Sequence, residues 1–352
     1  MDIRKKVVSE MQLGFFSEDN RLEKLSKLGD SLVRLNAVIN WEEFRPILKK
    51  ATHKKHKGIG GRPPYDLILM LKILILQRLY NLSDDQMEFQ INDRMSFMRF
   101  LGLGLGNSVP DAKTIWLFRD TLMKAGVMDK LFHRFNKTLL EAGIITREGT
   151  IVDATFVEAP RQRNHRNENA TIKEGKVPEE WGKPENAHKL SQKDTDARWT
   201  KKNNERHYGY KDHVKVDADS KIITGYTVTS ANVHDSQALT ELITEEDNIL
   251  YVDSAYTGEE LLASLPKSVE TRINEKGYRN HPLPLGQKEN NRLKSKIRAR
   301  VEHVFGFMTG SMNGITVRSI GIDRATFNIG LTNLVYNICR YEILKRGEFA
   351  KG

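Results

Sequence analysis

Residues 150–157, TIVDATFV, mark the point at which the chain changes its periodicity. Before Arg147 the apolar residues recur with the helical period of about 3.6, whereas from Thr150 onward they alternate with a period of two. β-Branched and aromatic side chains in such an alternation predict a strand. The change of period therefore predicts a domain boundary around residues 143–148.

The chain after this strand predicts a mixed sheet. Residues 208–217 and 221–230 alternate as two strands around the turn Ala218-Asp219, which is the pattern of a hairpin. The next predicted elements are a helix, a strand, a helix, a strand and two closing helices, at residues 235–244, 249–253, 257–264, 268–272, 292–307 and 327–338. This order predicts an α/β fold over residues 146–345, with helices covering a mixed sheet.

Residues 1–145 predict an all-helical N-terminal domain. Residues 66–80 are apolar on nearly every side, as in a helix that is buried on most faces, and Ser83 with Gln86 forms a capping box for the next helix. Two further helices are predicted, at residues 111–124 and 128–141.

Two adjacent helices joined by a turn can place one helix in a DNA groove. Lys113, Trp116 and Arg119 could lie along such a surface, although a plain helical bundle has a similar pattern. Both interpretations of the N-terminal domain stay open.

A polar insertion at residues 160–206 interrupts the predicted sheet. It contains few apolar side chains, and a loop of that length inside a compact domain is either functional or disordered.

The composition narrows the class of protein. A formal charge of +10 on 352 residues favours a polyanionic partner, either nucleic acid or an anionic membrane surface. The longest apolar run, residues 67–76, is interrupted by Lys72 and is shorter than the roughly 18 residues of a membrane span. No secretion signal is predicted at the N-terminus. Cys339 is the only cysteine, which excludes an intramolecular disulfide and suits a reducing cytoplasm.

Residues 294–308, KSKIRARVEHVFGFM, predict a helix that carries one carboxylate among cations. Its apolar stripe, which must pack against another part of the chain, consists of Ile297, Val301, Val304 and Met308. Glu302 lies about 100° of helix rotation from Val301 and shares a face with Arg298. An ion pair between Glu302 and Arg298 on a solvated face is the ordinary interpretation of this segment taken alone.

Two aspartates upstream give Glu302 a second interpretation. Asp153 lies within the first strand and Asp253 ends the strand at residues 249–253. Carboxylates on separate rigid elements can hold hard divalent cations such as magnesium, and paired ions of this kind assist phosphoryl displacement. Asp217 and Asp219 compete for this role, but aspartate is also the ordinary residue of a hairpin turn. Asp235 is better placed as a helix N-cap.

The chain resembles the DDE transposases of bacterial insertion sequences, in the group named for insertion sequence five. The resemblance runs over about residues 60–310. The matching stretches are GRPPYDLILMLKILILQRLYNLSD, SVPDAKTIWLFRDTL, GTIVDATFVEAP, DARWTKKNNERHYGYKDHVKVDADSKIITGYTVTSANVHDS, VDSAYTG and RARVEHVFG.

This resemblance implies an RNase H-like catalytic fold in which Asp153, Asp253 and Glu302 bind the metal. It further implies Mg²⁺, for which Mn²⁺ may substitute, and cutting and joining at the ends of the element. Double-stranded DNA would be the partner, as terminal inverted repeats and as target, with a homodimer in the synaptic complex. The location implied is the bacterial cytoplasm, and the helical domain becomes the candidate for binding element ends and for dimerisation.

Relatives often place a Tyr, an Arg and a Lys or Arg around that glutamate. In this chain the three positions hold Ser295, Arg298 and Thr309, so only the arginine agrees.

Basic residues near the three carboxylates are predicted DNA contacts, and a solvated basic face is the alternative. The basic residues lie in the helix and around the insertion, and Tyr208 is predicted to contact DNA with them: Lys294, Lys296, Arg298, Arg300, Lys201, Lys202, Arg206 and Lys211. Arg298 is further expected to serve the active site, because a planar guanidinium can grip two phosphate oxygens at once.

The function predicted is that of a transposase that cuts element ends and joins the 3′-hydroxyl to target DNA. A nuclease of the same fold that cuts without joining is one alternative. A DNA-binding protein that has lost its chemistry is another, and the complete set of three carboxylates argues against it.

Overall fold

The computed structural model describes residues 17–53, 63–202, 204–256, 258–275, 277 and 283–349. Residues 1–16, for which no secretion signal is predicted, lie outside these ranges. Within the described ranges, no helix combines the length and apolar composition that crossing a membrane requires.

Eight helices precede the sheet in the described chain: α1 (Ser17–Lys27), α2 (Ser31–Val38), α3 (Arg45–Thr52), α4 (Leu67–Leu79), α5 (Asp84–Asp93), α6 (Met95–Leu101), α7 (Ala112–Lys124) and α8 (Met128–Glu141). Local sequence explains their starts. The Asp66 side chain accepts from the amides of Ile68 and Leu69 at the start of α4, and the predicted capping box of Ser83 and Gln86 opens α5. Most of α4 is buried, which confirms the prediction from its apolar composition.

Six strands form one mixed sheet: β1 (Thr150–Glu158), β2 (Arg198–Lys202), β3 (Glu205–Asp217), β4 (Ile223–Ser230), β5 (Ile249–Val252) and β6 (Glu270–Ile273). Strand β3 is antiparallel to β1, β2 and β4, whereas β1, β5 and β6 are mutually parallel. The order β4-β3-β1-β5-β6, with β3 alone running against the others, is the RNase H-like arrangement. The fold class expected from the sequence is therefore confirmed.

Two strands share the outer edge of β3. Strand β2 pairs with residues 205–209 and β4 pairs with residues 210–216. Gly209 lies where the two pairings meet, with a φ of +145°. A side chain there would sit 2.2 Å from the carbonyl oxygen of Val157 in β1, so only glycine fits this crossing.

The insertion at residues 160–206 is structured. It contains α9 (Arg166–Lys173), α10 (Ala187–Leu190), two short 3₁₀ turns and β2. Trp181 is fully buried, and its indole N–H donates to Glu168 Oε1 at 2.8 Å. Glu168 also accepts from Lys189 Nζ at 3.0 Å. An aromatic side chain with polar partners thus orders a segment whose composition predicts a loop.

Helices cover both faces of the sheet: α11 (Asp235–Leu242), α12 (Glu259–Ser264), α13 (Leu285–Arg298), α14 (Glu302–Gly306) and α15 (Ile322–Phe349). One 3₁₀ turn, Ala299–Val301, joins α13 to α14, and a π-helical turn, Phe307–Ser311, follows. The predicted apolar stripe is confirmed, because Val301, Val304 and Met308 are fully buried and the half-buried Ile297 packs against the same core.

Two clusters of apolar side chains stabilise the sheet. The larger cluster includes Ile151 and Tyr251 on one face, together with α14, α15 and the N-terminal helices. The smaller cluster includes Val152 and Val252 on the other face, together with α11 and Tyr256. Strand alternation thus assigns each β1 and β5 residue to one of the two faces.

Candidate active site

Asp153 and Asp253 lie side by side on one face of the sheet. Strands β1 and β5 are parallel neighbours in which Ile151 pairs with Tyr251. Asp153 follows Ile151 by two residues and Asp253 follows Tyr251 by two, so strand alternation turns both carboxylates to the face of the larger core. The register of two parallel strands thereby brings together acids from distant parts of the chain.

Arg298 bridges the two aspartates. Its Nη1 lies 3.6 Å from Asp153 Oδ2 and 3.9 Å from Asp253 Oδ2. Arg298 is the last residue of α13, and the buried Val301 one turn later anchors the helix on the sheet. The ion pairs of this guanidinium go to the strand aspartates rather than to Glu302, contrary to the ordinary interpretation of the helix taken alone.

Glu302 begins α14, and its side chain is exposed between the buried Val301 and Val304. Its charge acts on Asp153. Burial raises the pKa of the Asp153 carboxyl, the Ala154 amide and the Arg298 guanidinium act in the opposite direction, and the negative charge of Glu302 raises this pKa further. Glu302 therefore lies close enough to Asp153 for its charge to act on that carboxyl.

The described residues contain no group of three side chains already gathered as metal ligands. Three carboxylates repel one another unless a cation lies between them, and Arg298 occupies that position for Asp153 and Asp253. The donor set itself suits a hard divalent ion, since it offers only carboxylate oxygens on rigid elements.

The predicted basic residues of α13 and of the 3₁₀ turn after it differ in what their charges contact. Lys294 Nζ donates to the Ile273 carbonyl at 2.8 Å and lies 3.8 Å from Glu275 Oε1. Arg300 donates to the Ala218 carbonyl at 2.6 Å and to Asp219 Oδ1 at 2.9 Å. Both cations are held by the sheet. Lys296, in contrast, is exposed and forms no ion pair with a described residue.

The predicted DNA contacts around the end of the insertion fall into an exposed group and a buried group. Lys201, Lys202 and Arg206 are exposed on β2 and the start of β3, and the charge of Lys202 acts on Asp153. Tyr208 is 6% exposed, and Lys211 is 8% exposed. Burial leaves these two side chains no surface for a DNA phosphate, which corrects the prediction that they contact DNA.

A buried polar network behind the site was missed by the sequence analysis. Lys211 Nζ donates to Asp235 Oδ1 at 2.7 Å and to the Val233 carbonyl at 2.6 Å. His213 is fully buried beside it, and burial lowers the pKa of His213 to about 4. Asp235 does not cap α11, because the His234 side chain accepts from the Ser236 amide instead. The sequence signal for this network was the motif His234-Asp235, in which Asp235 was predicted to cap its own helix rather than to pair with a residue of β3.

Tyr256 was also missed, although it stands three residues after Asp253. It is 3% exposed, and its hydroxyl has no hydrogen-bond partner among the described residues. Burial raises the pKa of this phenol, and the negative charges of Asp235, Asp153 and Asp253 raise it further. A buried donor therefore lies near the two strand aspartates.

The competing hairpin acids have structural partners. Asp217 is 2% exposed and accepts from the amides of Thr146, Arg147 and Ser220. Asp219 pairs with Arg300. Both aspartates hold the turn between β3 and β4, as their turn position indicates.

Comparisons with known proteins find two family models and a solved structure that are similar to this chain. Residues 145–338 match the family model described as Transposase DDE domain, and residues 20–121 match the model described as Transposase domain (DUF772). A solved structure, the cryo-EM structure of the piggyBac transposase synaptic complex with hairpin DNA, is 11% identical in sequence with a TM-score of 0.43. That similarity covers 90% of this chain and 75% of the other. With the DDE domain model matching more than half of its length, this chain belongs to the DDE transposase family.

Proposed function

We propose that this transposase cuts DNA at the ends of its insertion sequence and joins the freed 3′-hydroxyl to target DNA. Membership of the DDE family implies dependence on a divalent metal, and we assign Mg²⁺, with Mn²⁺ able to substitute. The observation that carries the proposal is the pairing of Asp153 and Asp253 with one guanidinium, four residues before Glu302.

Asp153, Asp253 and Glu302 would hold the metal through their carboxylate oxygens. When bound, divalent ions in such a site activate a water for attack and stabilise the attacking and leaving oxygens of the phosphoryl transfer. Strands β1 and β5 keep the two aspartates in fixed positions, which matters because misplacement by about 1 Å can cost on the order of 100-fold in rate.

Arg298 is the residue that would orient the scissile phosphate. Its guanidinium lies in the middle of the acidic site, with Nη1 already within 4 Å of two carboxylates. A planar fork of donors can bind two phosphate oxygens at once. In the DNA-bound protein Arg298 would therefore exchange a carboxylate partner for the phosphate.

The exposed cations beside the site would bind the DNA backbone: Lys201, Lys202, Arg206 and Lys296. The helices of residues 1–145 would recognise the terminal inverted repeats and contribute to a synaptic homodimer in the bacterial cytoplasm. In α7, Lys113 and Trp116 are exposed for this role. Arg119 instead donates to Asp84 from both terminal nitrogens, each at 2.7 Å, and so stabilises the helical packing.

Charge removal without a change of volume tests the assignment. Asp153→Asn, Asp253→Asn and Glu302→Gln should each abolish cleavage of labelled element ends with magnesium, while DNA binding stays largely intact. Glu148→Gln is the matched control, since this acid is exposed just before β1. Near-normal cutting by one of the three variants would remove that residue from the site.

A joining assay separates the transposase from a nuclease of the same fold. Pre-cut element ends with a free 3′-hydroxyl are incubated with supercoiled target DNA and magnesium. We expect joined products that disappear with Asp153→Asn. Efficient cutting without any joined product would favour the nuclease.

A further inference from the structure

A cavity of about 410 Å³ lies between the N-terminal helices and the C-terminal part of the chain. One wall is formed by α4, α5 and α7, and the other by residues 316–320 and α15. Arg78, Arg318 and Arg324 line this cavity from different elements. None of them belongs to the acidic site of Asp153 and Asp253.

Arg78 is a half-buried cation, and no carboxylate of the described residues forms an ion pair with it. Its Nη1 donates to the Thr316 carbonyl at 3.2 Å, and its Nε is buried with no hydrogen-bond partner among the described residues. Burial, with a further contribution from the charge of Arg318, lowers the pKa of Arg78 to about 10. A buried charge that lacks a counter-ion is costly to the folded state.

The other two cavity arginines are exposed, and the charge of Arg318 helps to lower the pKa of the Asp84 carboxyl. Arg318 donates to the Asn81 carbonyl at 3.1 Å, and Arg324 donates to the Ile320 carbonyl at 3.3 Å. The acid that lines the cavity, Asp84, is paired with Arg119. Within the described chain, no ion pair joins Arg78, Arg318 or Arg324 to a carboxylate.

We propose that this cavity, the arginine pocket, binds a phosphate group through Arg78, Arg318 and Arg324. Guanidinium groups match phosphate because their planar donors can bind two oxygens at once, and an anion would supply the missing counter-charge. The phosphate is either a phosphodiester of bound DNA or free phosphate. Trp116 lines the pocket and is 47% exposed, so an attached base could stack on it. The DNA source rests on the proposed function, whereas phosphate binding itself does not.

Inorganic phosphate is the first probe. The thermal unfolding midpoint of the full chain is measured in phosphate and in chloride at matched ionic strength and pH. For the wild type we expect phosphate to add about 2 °C or more. The double variant Arg318→Gln/Arg324→Gln should lose that difference. Arg346→Gln should retain it, since Arg346 is exposed on the same helix about 33 Å from Arg324.

A second variant keeps the test informative if the double variant folds poorly. Asn328→Asp brings a carboxylate to the pocket wall with almost no change in volume. It should reduce the added effect of phosphate, because the pocket then contains its own anion. The midpoint in chloride should fall, because a carboxylate cannot donate the hydrogen bonds that Asn328 Nδ2 gives to Ser319 Oγ and to the Arg324 carbonyl.

DNA binding identifies the source of the phosphate. A duplex taken from the DNA flanking the gene is titrated against salt in EDTA, so that no cleavage occurs. If the phosphate belongs to DNA, the double variant should flatten the log–log slope by roughly one to two units relative to Arg346→Gln.

Each outcome decides the proposal. Loss of the phosphate effect together with a flatter slope supports a DNA phosphodiester in the pocket. Loss of the phosphate effect with an unchanged slope supports free phosphate. If Arg318→Gln/Arg324→Gln and Asn328→Asp both respond to phosphate as the wild type does, the arginine pocket is not a phosphate site. Failure of the cleavage test on Asp153 would leave this result untouched.

Discussion

Arg298 pairs with carboxylates from two strands, and its role depends on more than its charge. A lysine at this position keeps the charge but presents a single ammonium, which cannot bind two phosphate oxygens in a plane. We therefore expect Arg298→Lys to slow cleavage at saturating DNA by about 10-fold or more, and Arg298→Ala to slow it further. Arg292→Lys, exposed on the same helix, is the control. A wild-type cleavage rate for Arg298→Lys would show that a positive charge is sufficient at this position and that the guanidinium is not needed.

Asp212 is a second residue whose environment gives a measurable consequence. It is fully buried in β3, where Asn333 Nδ2 donates to Oδ1 at 3.1 Å and no described residue donates to Oδ2. Burial raises the pKa of Asp212 to about 7, against about 3.9 in an unfolded chain. Between those values the folded state binds more protons, so the free energy of unfolding should fall as pH rises from about 4 to about 7, and then level off.

Asp212→Asn removes this titration. We expect the variant to be more stable than wild type at pH 8, by an amount on the order of 4 kcal/mol at most, and less dependent on pH between 4 and 7. Urea unfolding at a series of pH values measures both effects. Asp219→Asn, an exposed acid in the same hairpin, should keep the wild-type pH profile. An identical profile for Asp212→Asn would mean that this carboxyl is ionised in the folded protein.

Strand β3 depends on one glycine where its partners β2 and β4 meet. Gly209→Ala would bring a side chain within 2.2 Å of a backbone carbonyl oxygen in a conformation that L residues rarely adopt. We expect a loss of at least about 2 kcal/mol in the free energy of unfolding, measured by urea denaturation. Gly225→Ala in β4 should cost less than about 1 kcal/mol, since its nearest neighbour is a flexible lysine side chain at 3.4 Å. Equal effects would contradict the steric argument.

The sequence predicted helices and strands well where one buried face makes the apolar residues recur at a regular spacing. The strands β1, β3, β4 and β5 and the stripe of Val301, Val304 and Met308 follow from alternation and helical spacing. Helix α13 begins at Leu285, earlier than predicted, because this part has no buried residue and so no apolar period. No pattern of residues in the sequence predicted the 3₁₀ turn at Ala299–Val301 or the later π-helical turn.

The sequence predicted the three acidic residues of the candidate site, but it did not predict which side chains contact them. Asp153, Asp253 and Glu302 stood out because each occupies a rigid element in a chain that resembles a known family. That Arg298 reaches both aspartates depends on how α13 packs on the sheet, which is a tertiary property. Burial of Lys211 and Tyr208 likewise follows from the central place of β3, and a polar sequence such as YGYKDH does not reveal it.

At the scale of the whole molecule, only some of the cations behind the net charge of +10 are exposed and free of a carboxylate of the described residues, and only those are expected to bind DNA. Lys201, Lys202 and Arg206 are exposed beside the site, whereas the charges of Lys294 and Arg300 are held by Glu275 and Asp219. Changing the first three residues to Gln should flatten the log–log salt dependence of DNA binding by roughly two to three units. Lys294→Gln/Arg300→Gln should leave the slope nearly unchanged. The reverse result would assign the DNA surface to α13 and the 3₁₀ turn that follows it.

Helix α15 has a consequence for how the protein is made. It packs against α2, α4 and α8 as well as β4, and Arg34 of α2 pairs with Glu342 at 2.9 Å. The ribosome completes α2 roughly 280 residues before it begins α15. At about 5–20 residues per second, the early helices wait about 15 to 55 s for the partner that covers them. Nascent chains are therefore exposed to chaperones and proteases until α15 has been translated, and a polypeptide released before that point leaves the apolar surface uncovered.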